Sequence, residues 1–99
     1  MTTINLTHAI WKFTIRPSGR TEMPMGARIL YVGAQGDEVC VWALVNPSHG
    51  AEYRAIHAYG TGHPTASDPG LYLGTAQMDN GLVFHLFDGD ENGSSGGAA

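Results

Sequence analysis

Ninety-nine residues are one domain's worth of chain, too few for two independent cores. A hydrophobic share of 42% supports one packed core, whereas 14 Gly and 5 Pro break the chain too often for long helices, so an all-β architecture follows. The formal charge of −4 is carried mostly by Asp88, Asp90 and Glu91 at the end. The cations Lys12, Arg16, Arg20, Arg28 and Arg54 are dispersed, which excludes a broad basic surface for nucleic acid.

The first expected strand is Ala9 to Ile15, where Trp11, Phe13 and Ile15 alternate with Lys12 and Thr14. Arg16-Pro-Ser-Gly-Arg20 is a turn, and Thr21-Glu-Met23 is a short edge-like piece before Pro24-Met-Gly26 turns again. Ala27 to Ala34 and Val39 to Val45 are nearly continuous apolar runs joined by a connector of hairpin length, and both read as central strands. Cys40 and Trp42 are expected inside. As the sole cysteine, Cys40 also excludes an intramolecular disulfide and suits a reducing compartment. Asn46 to Ala51 is a loop, with a short helical turn expected near Pro47 to Glu52.

Glu52 to Tyr59 is the next strand. A period-2 reading puts Tyr53, Ala55, His57 and Tyr59 on one face and Arg54, Ile56 and Ala58 on the other. Gly60 to Gly70 is a broken loop long enough to bind or cover a ligand. Leu71 to Gln77 and Leu82 to Phe87 are strands joined through Asn80-Gly81, a hairpin signal that makes them antiparallel neighbours. Six apolar runs therefore predict a small antiparallel sandwich or barrel over residues 1–87. Residues 88–99 read as an acidic, Gly/Ser-rich disordered tail. No apolar run is long enough to span a bilayer, and no basic leader precedes one, so a cytosolic protein is expected.

The densest chemistry lies in Glu52 to Pro64. Arg54, His57, Tyr59, Gly60, Thr61, Gly62 and His63 are the candidate ligand-binding residues. Glycines let main-chain amides converge on an anion, His63 can donate to it, and Arg54 supplies charge, although alternation places Arg54 on the opposite face. The plainer reading is that this stretch only shapes a connector. His57, His63 and His85 could gather on zinc, but their spacing matches no dedicated motif, and no metal or cofactor is expected. His63-Pro-Thr65 has a His-x-Thr form, but a single copy supplies half of a two-motif phosphoesterase. No activated nucleophile is recognisable, with Cys40 buried and Ser48 and Ser67 in featureless surroundings.

Taken together, Ile10-Trp-Lys-Phe13, Met23-Pro-Met-Gly-Ala-Arg-Ile-Leu30, Val41-Trp-Ala-Leu-Val-Asn-Pro47, Gly60-Thr-Gly-His-Pro64, Tyr72-Leu-Gly-Thr-Ala-Gln77 and Gly81-Leu-Val-Phe-His-Leu-Phe87 resemble a family of small, functionally uncharacterised proteins of tailed bacteriophages. The resemblance implies no established activity and no catalytic residues. It does imply a phage product acting in the cytoplasm of an infected bacterium, where compact β proteins block a host enzyme or capture a defence signal. The expected function is therefore non-enzymatic binding that counters host defence by sequestering a nucleotide-derived signal. Inhibition of a host protein by direct contact and a small His-dependent hydrolase or lyase are the alternatives. A homo-oligomer, most simply a dimer, is expected because so short a chain leaves aromatic strand residues to cover.

Overall fold

The computed structural model describes residues 3–90. Seven strands, β1 (Ala9–Thr14), β2 (Arg20–Pro24), β3 (Arg28–Gln35), β4 (Glu38–Val45), β5 (Ala51–Gly60), β6 (Leu71–Gln77) and β7 (Val83–Asp88), follow one another with no helix among the described residues. They form a three-stranded sheet in the order β1-β4-β3 and a four-stranded sheet in the order β2-β5-β7-β6. Every strand pairing is antiparallel. The expected all-β sandwich is thus present, with seven strands rather than six. The additional strand is the Thr21–Met23 piece, which extends to Arg20–Pro24 and pairs along β5.

Strand alternation builds the core. From β4, Val41, Ala43 and Val45 point inward and meet Met23, Val32, Ile56, Ala76 and Leu86 from neighbouring strands. The same alternation turns Trp42 outward, where it is half-buried with its ring centroid 5.7 Å from that of Tyr31. Trp42 was expected inside because its run is apolar on both faces, but only one face of a two-layer sandwich faces the core. Cys40 shares the outward direction and is nevertheless fully buried. Of the two runs read as central, only β4 is central; β3 lies at the edge. Its apolar content serves a seam, since an added Cβ at Gly74 of β6 would fall 2.9 Å from Val32 Cβ.

Turn chemistry sets the registers. Gly36, at φ +63°, opens the two-residue loop between Gln35 and Glu38, which pair directly. Asn80-Gly81 joins β6 and β7, with the Gly81 N–H donating to Met78 O and the Met78 N–H to Leu82 O. Asn46 to His49 is a hydrogen-bonded turn rather than the expected helical one. Its geometry is held by the Asn46 Oδ1, which accepts from the Ser48 N–H and hydroxyl, and β5 starts immediately afterwards.

The ordered chain also runs past Phe87. Asp88 is the fully buried last residue of β7. The Gly89 N–H then donates to Ala55 O at 2.7 Å, and Asp90 Oδ2 accepts the Ala55 N–H at 2.8 Å. The expected tail boundary at 88 is therefore corrected by three residues, because these acids have specific partners on β5. The remainder of that expected tail, 91–99, lies outside the described residues.

Candidate functional site

Arg54 is not part of an open anion site. Alternation along β5 directs it inward, where Nη2 and Nε donate to Asp88 Oδ2 at 2.6 and 3.2 Å and Nη1 donates to Ala27 O at 2.7 Å. The side chains of Arg54 and Asp88 are 9% and 0% exposed. Asp88 Oδ1 accepts the Asp90 N–H at 2.9 Å, so the buried charges are mutually satisfied, as charges out of water must be. Its assignment as a ligand-binding residue is corrected on this ground.

His57 and Tyr59 do share the outward face of β5. Their ring centroids are 6.1 Å apart, Tyr59 lies 6.0 Å from Phe87 of β7, and Phe87 lies 5.5 Å from Tyr72 of β6. An aromatic row thus crosses three strands, because registers pair His57 with Phe87 and Phe87 with Tyr72. One end is braced by the β1–β2 turn: an added Cβ at Gly19, φ +75°, would fall 2.5 Å from His57 Nδ1, so only glycine lets the turn lie against the imidazole. Beyond His57, Tyr53 carries the Arg20 guanidinium 4.5 Å from its ring centroid.

At the other end of β5 the Gly60–His63 loop folds back on itself. The Thr61 N–H donates to Val83 O at 3.1 Å and the His63 N–H to Gly60 O at 3.0 Å. These two amides are consumed by the turn, so they do not form the converging phosphate cradle expected from Gly-Thr-Gly. The loop instead presents side chains. His63 lies over Gly60, where an added Cβ would fall 2.8 Å from its Nδ1, and Gly60, Thr61 and His63 line a shallow groove with Leu82 and Val83. Gly62 forms the tip at φ +86°.

Thr61 leads into a connected polar chain. Its Oγ1 is 2.7 Å from His85 Nε2, His85 Nδ1 is 3.2 Å from Thr75 Oγ1, and the Thr75 hydroxyl is hydrogen-bonded to that of Tyr72. Both imidazole nitrogens are occupied by hydroxyls, each able to donate or accept, which orients the ring whichever tautomer it takes. Among the described residues, His57, His63 and His85 form no metal-ligating cluster.

Tyr72, Thr75, His85 and Phe87 are not among the expected ligand-binding residues, His85 entering only with the zinc alternative, though a signal for them exists. Counting outward from the Asn80-Gly81 turn with Gln77 opposite Val83 puts Thr75 opposite His85. Only the bulge between Tyr72 and Gly74, which brings Tyr72 opposite Phe87, is invisible to that counting.

The molecule is a small antiparallel β-sandwich whose four-stranded sheet presents an aromatic row and a hydroxyl–imidazole chain on its outer face. The chain belongs to the family described as a domain of unknown function, DUF7352, whose model matches residues 6–96. No curated protein and no solved structure matches it.

Proposed function

We propose that this chain is a non-enzymatic binding protein that captures a nucleotide-derived small molecule on the outer face of its four-stranded sheet. In the phage context implied by the sequence resemblance, it would act in the cytoplasm of an infected bacterium and remove a host defence signal. The observation that carries the reading is the adjacency of the Tyr59–Phe87–Tyr72 row to the Thr61–His85–Thr75 chain. The rings suit a nucleobase, for which aromatic stacking contributes about 1–3 kcal/mol per base. The Thr61 hydroxyl, oriented by His85, and the His63 imidazole suit the hydroxyl and phosphoryl oxygens of the same ligand. With Arg54 engaged internally, a fixed positive charge on this face comes from Arg20 beside Tyr53.

Isothermal titration with AMP, ADP-ribose and cyclic di-AMP tests the reading. At least one should bind, Tyr59→Leu should remove most of the affinity, and Thr61→Val should weaken binding about fivefold, the equivalent of one hydrogen bond. Absence of binding across the panel, or equal binding by both variants, would count against it.

Self-association belongs to the same proposal. The opposite sheet exposes Ile10 and Tyr31 beside the half-buried Trp42 and Leu44, and a second copy covering this face would leave the ligand face free. Sedimentation showing a monomer at all concentrations would remove that part.

A further inference from the structure

The interior of the sandwich is closed along β5 and then opens. On the inward face of that strand Arg54 and Ile56 are buried, yet Ala58, next in the same alternation, is exposed. The resulting cleft has a volume of about 420 Å³ and a floor of Ile15, Val39, Ala58 and Phe84, a size and apolarity typical of small-molecule sites. Part of the backbone at this floor is already satisfied, since the Ile15 N–H donates to Val39 O at 2.9 Å, so these residues present mainly carbon.

The mouth is charged. The β3–β4 hairpin brings Asp37 and Glu38 to the rim, and the β1–β2 turn brings Arg16. Among the described residues none of the three is in an ion pair, and the ion pair present is Arg54–Asp88. Glu38 has a 3.5 Å contact from the Thr14 hydroxyl. Two carboxylates against one guanidinium leave the mouth negative.

We propose that this cleft is a second binding site, separate from the aromatic sheet face, for a small molecule that joins an apolar ring to a cationic amine. The ring occupies the floor, where displacing water from apolar surface supplies the attraction. The ammonium remains at the rim, where Asp37 and Glu38 outweigh Arg16. Shape confers the affinity, and rim charge confers the preference of amine over acid.

Three probes sharing one ring test this: tryptamine, indole and indole-3-propionate, titrated into the ¹⁵N-labelled full chain and followed by amide chemical shifts. Tryptamine is expected to move the amides of Val39, Ala58 and Phe84 and to bind about two- to fivefold more tightly than the propionate, the range of an exposed charge pair. Ala58→Phe fills the cleft and should abolish these shifts. Because a large side chain there can disturb the core, a double Asp37→Asn, Glu38→Gln variant, confined to the exposed rim, supplies an independent arm: it should keep ring binding and lose the preference for the amine. Unmoved floor amides at saturating tryptamine, equal or tighter binding of the propionate to the wild type, or a preference that survives the double variant would each overturn the proposal.

Discussion

The two faces of β5 solve opposite problems with neighbouring residues. On the inner face, Arg54 is enclosed by Asp88, Ala27 O and Met23, which hold its guanidinium within the fold. On the outer face, His57 and Tyr59 are half-buried, with a tilted ring contact to each other and an edge contact from Tyr59 to Phe87. The contrast teaches that a cluster of able side chains along one strand is not one site. A two-residue period divides it into a half engaged in the core and a half turned to the outer face.

Breaking the inner face should have the largest effect. Asp88→Asn preserves volume and leaves the Arg54 charge buried without a carboxylate, so unfolding free energy from urea titration should fall by about 3–5 kcal/mol, much of what a domain of this size has. A smaller loss is expected from Gly70→Ala. Gly70 has φ +109°, and its new Cβ would fall 2.3 Å from Asp88 O, a backbone atom that must shift. A cost of about 1–3 kcal/mol in the same titration would match strain of this kind. On the outer face, Tyr59→Leu removes one edge-to-face partner of Phe87 and should cost only about 0.5–1.5 kcal/mol. Arg20→Gln loses the contact over Tyr53, an exposed arrangement worth about 0.5–1 kcal/mol. A reversal of this order, with Tyr59→Leu costing more than Asp88→Asn, would abolish the distinction between the faces.

Most of the architecture was legible because the core-facing runs alternate and their turns carry Gly and Asn where positive φ or tight closure is needed, as at Gly36 and Asn80-Gly81. β2 was harder to read, since Arg20–Pro24 has few apolar residues and is held by pairing to β5 rather than by its own pattern. Trp42 was misplaced because an apolar run does not reveal which of its faces meets the other sheet. Arg54 could be assigned to the inner face by alternation, but its partner Asp88 sits 34 residues away in a stretch whose composition reads as tail. Gly60-Thr-Gly62 was legible as a turn and misleading as a cradle, because whether its amides point outward depends on Val83 O and Gly60 O.

The central claim of the proposal is that the outer face of the four-stranded sheet, not the outer face of the three-stranded one, takes the nucleotide-derived ligand. Amide and side-chain NMR spectra recorded during titrations with AMP, ADP-ribose and cyclic di-AMP test this directly, because Thr61, His85 and Tyr59 report on one sheet and the Trp42 indole N–H on the other. The account predicts concentration-dependent shifts of the first three with the Trp42 signal unmoved. Shifts centred on Trp42, or none at Thr61, His85 and Tyr59 with any of the three nucleotides, would contradict it.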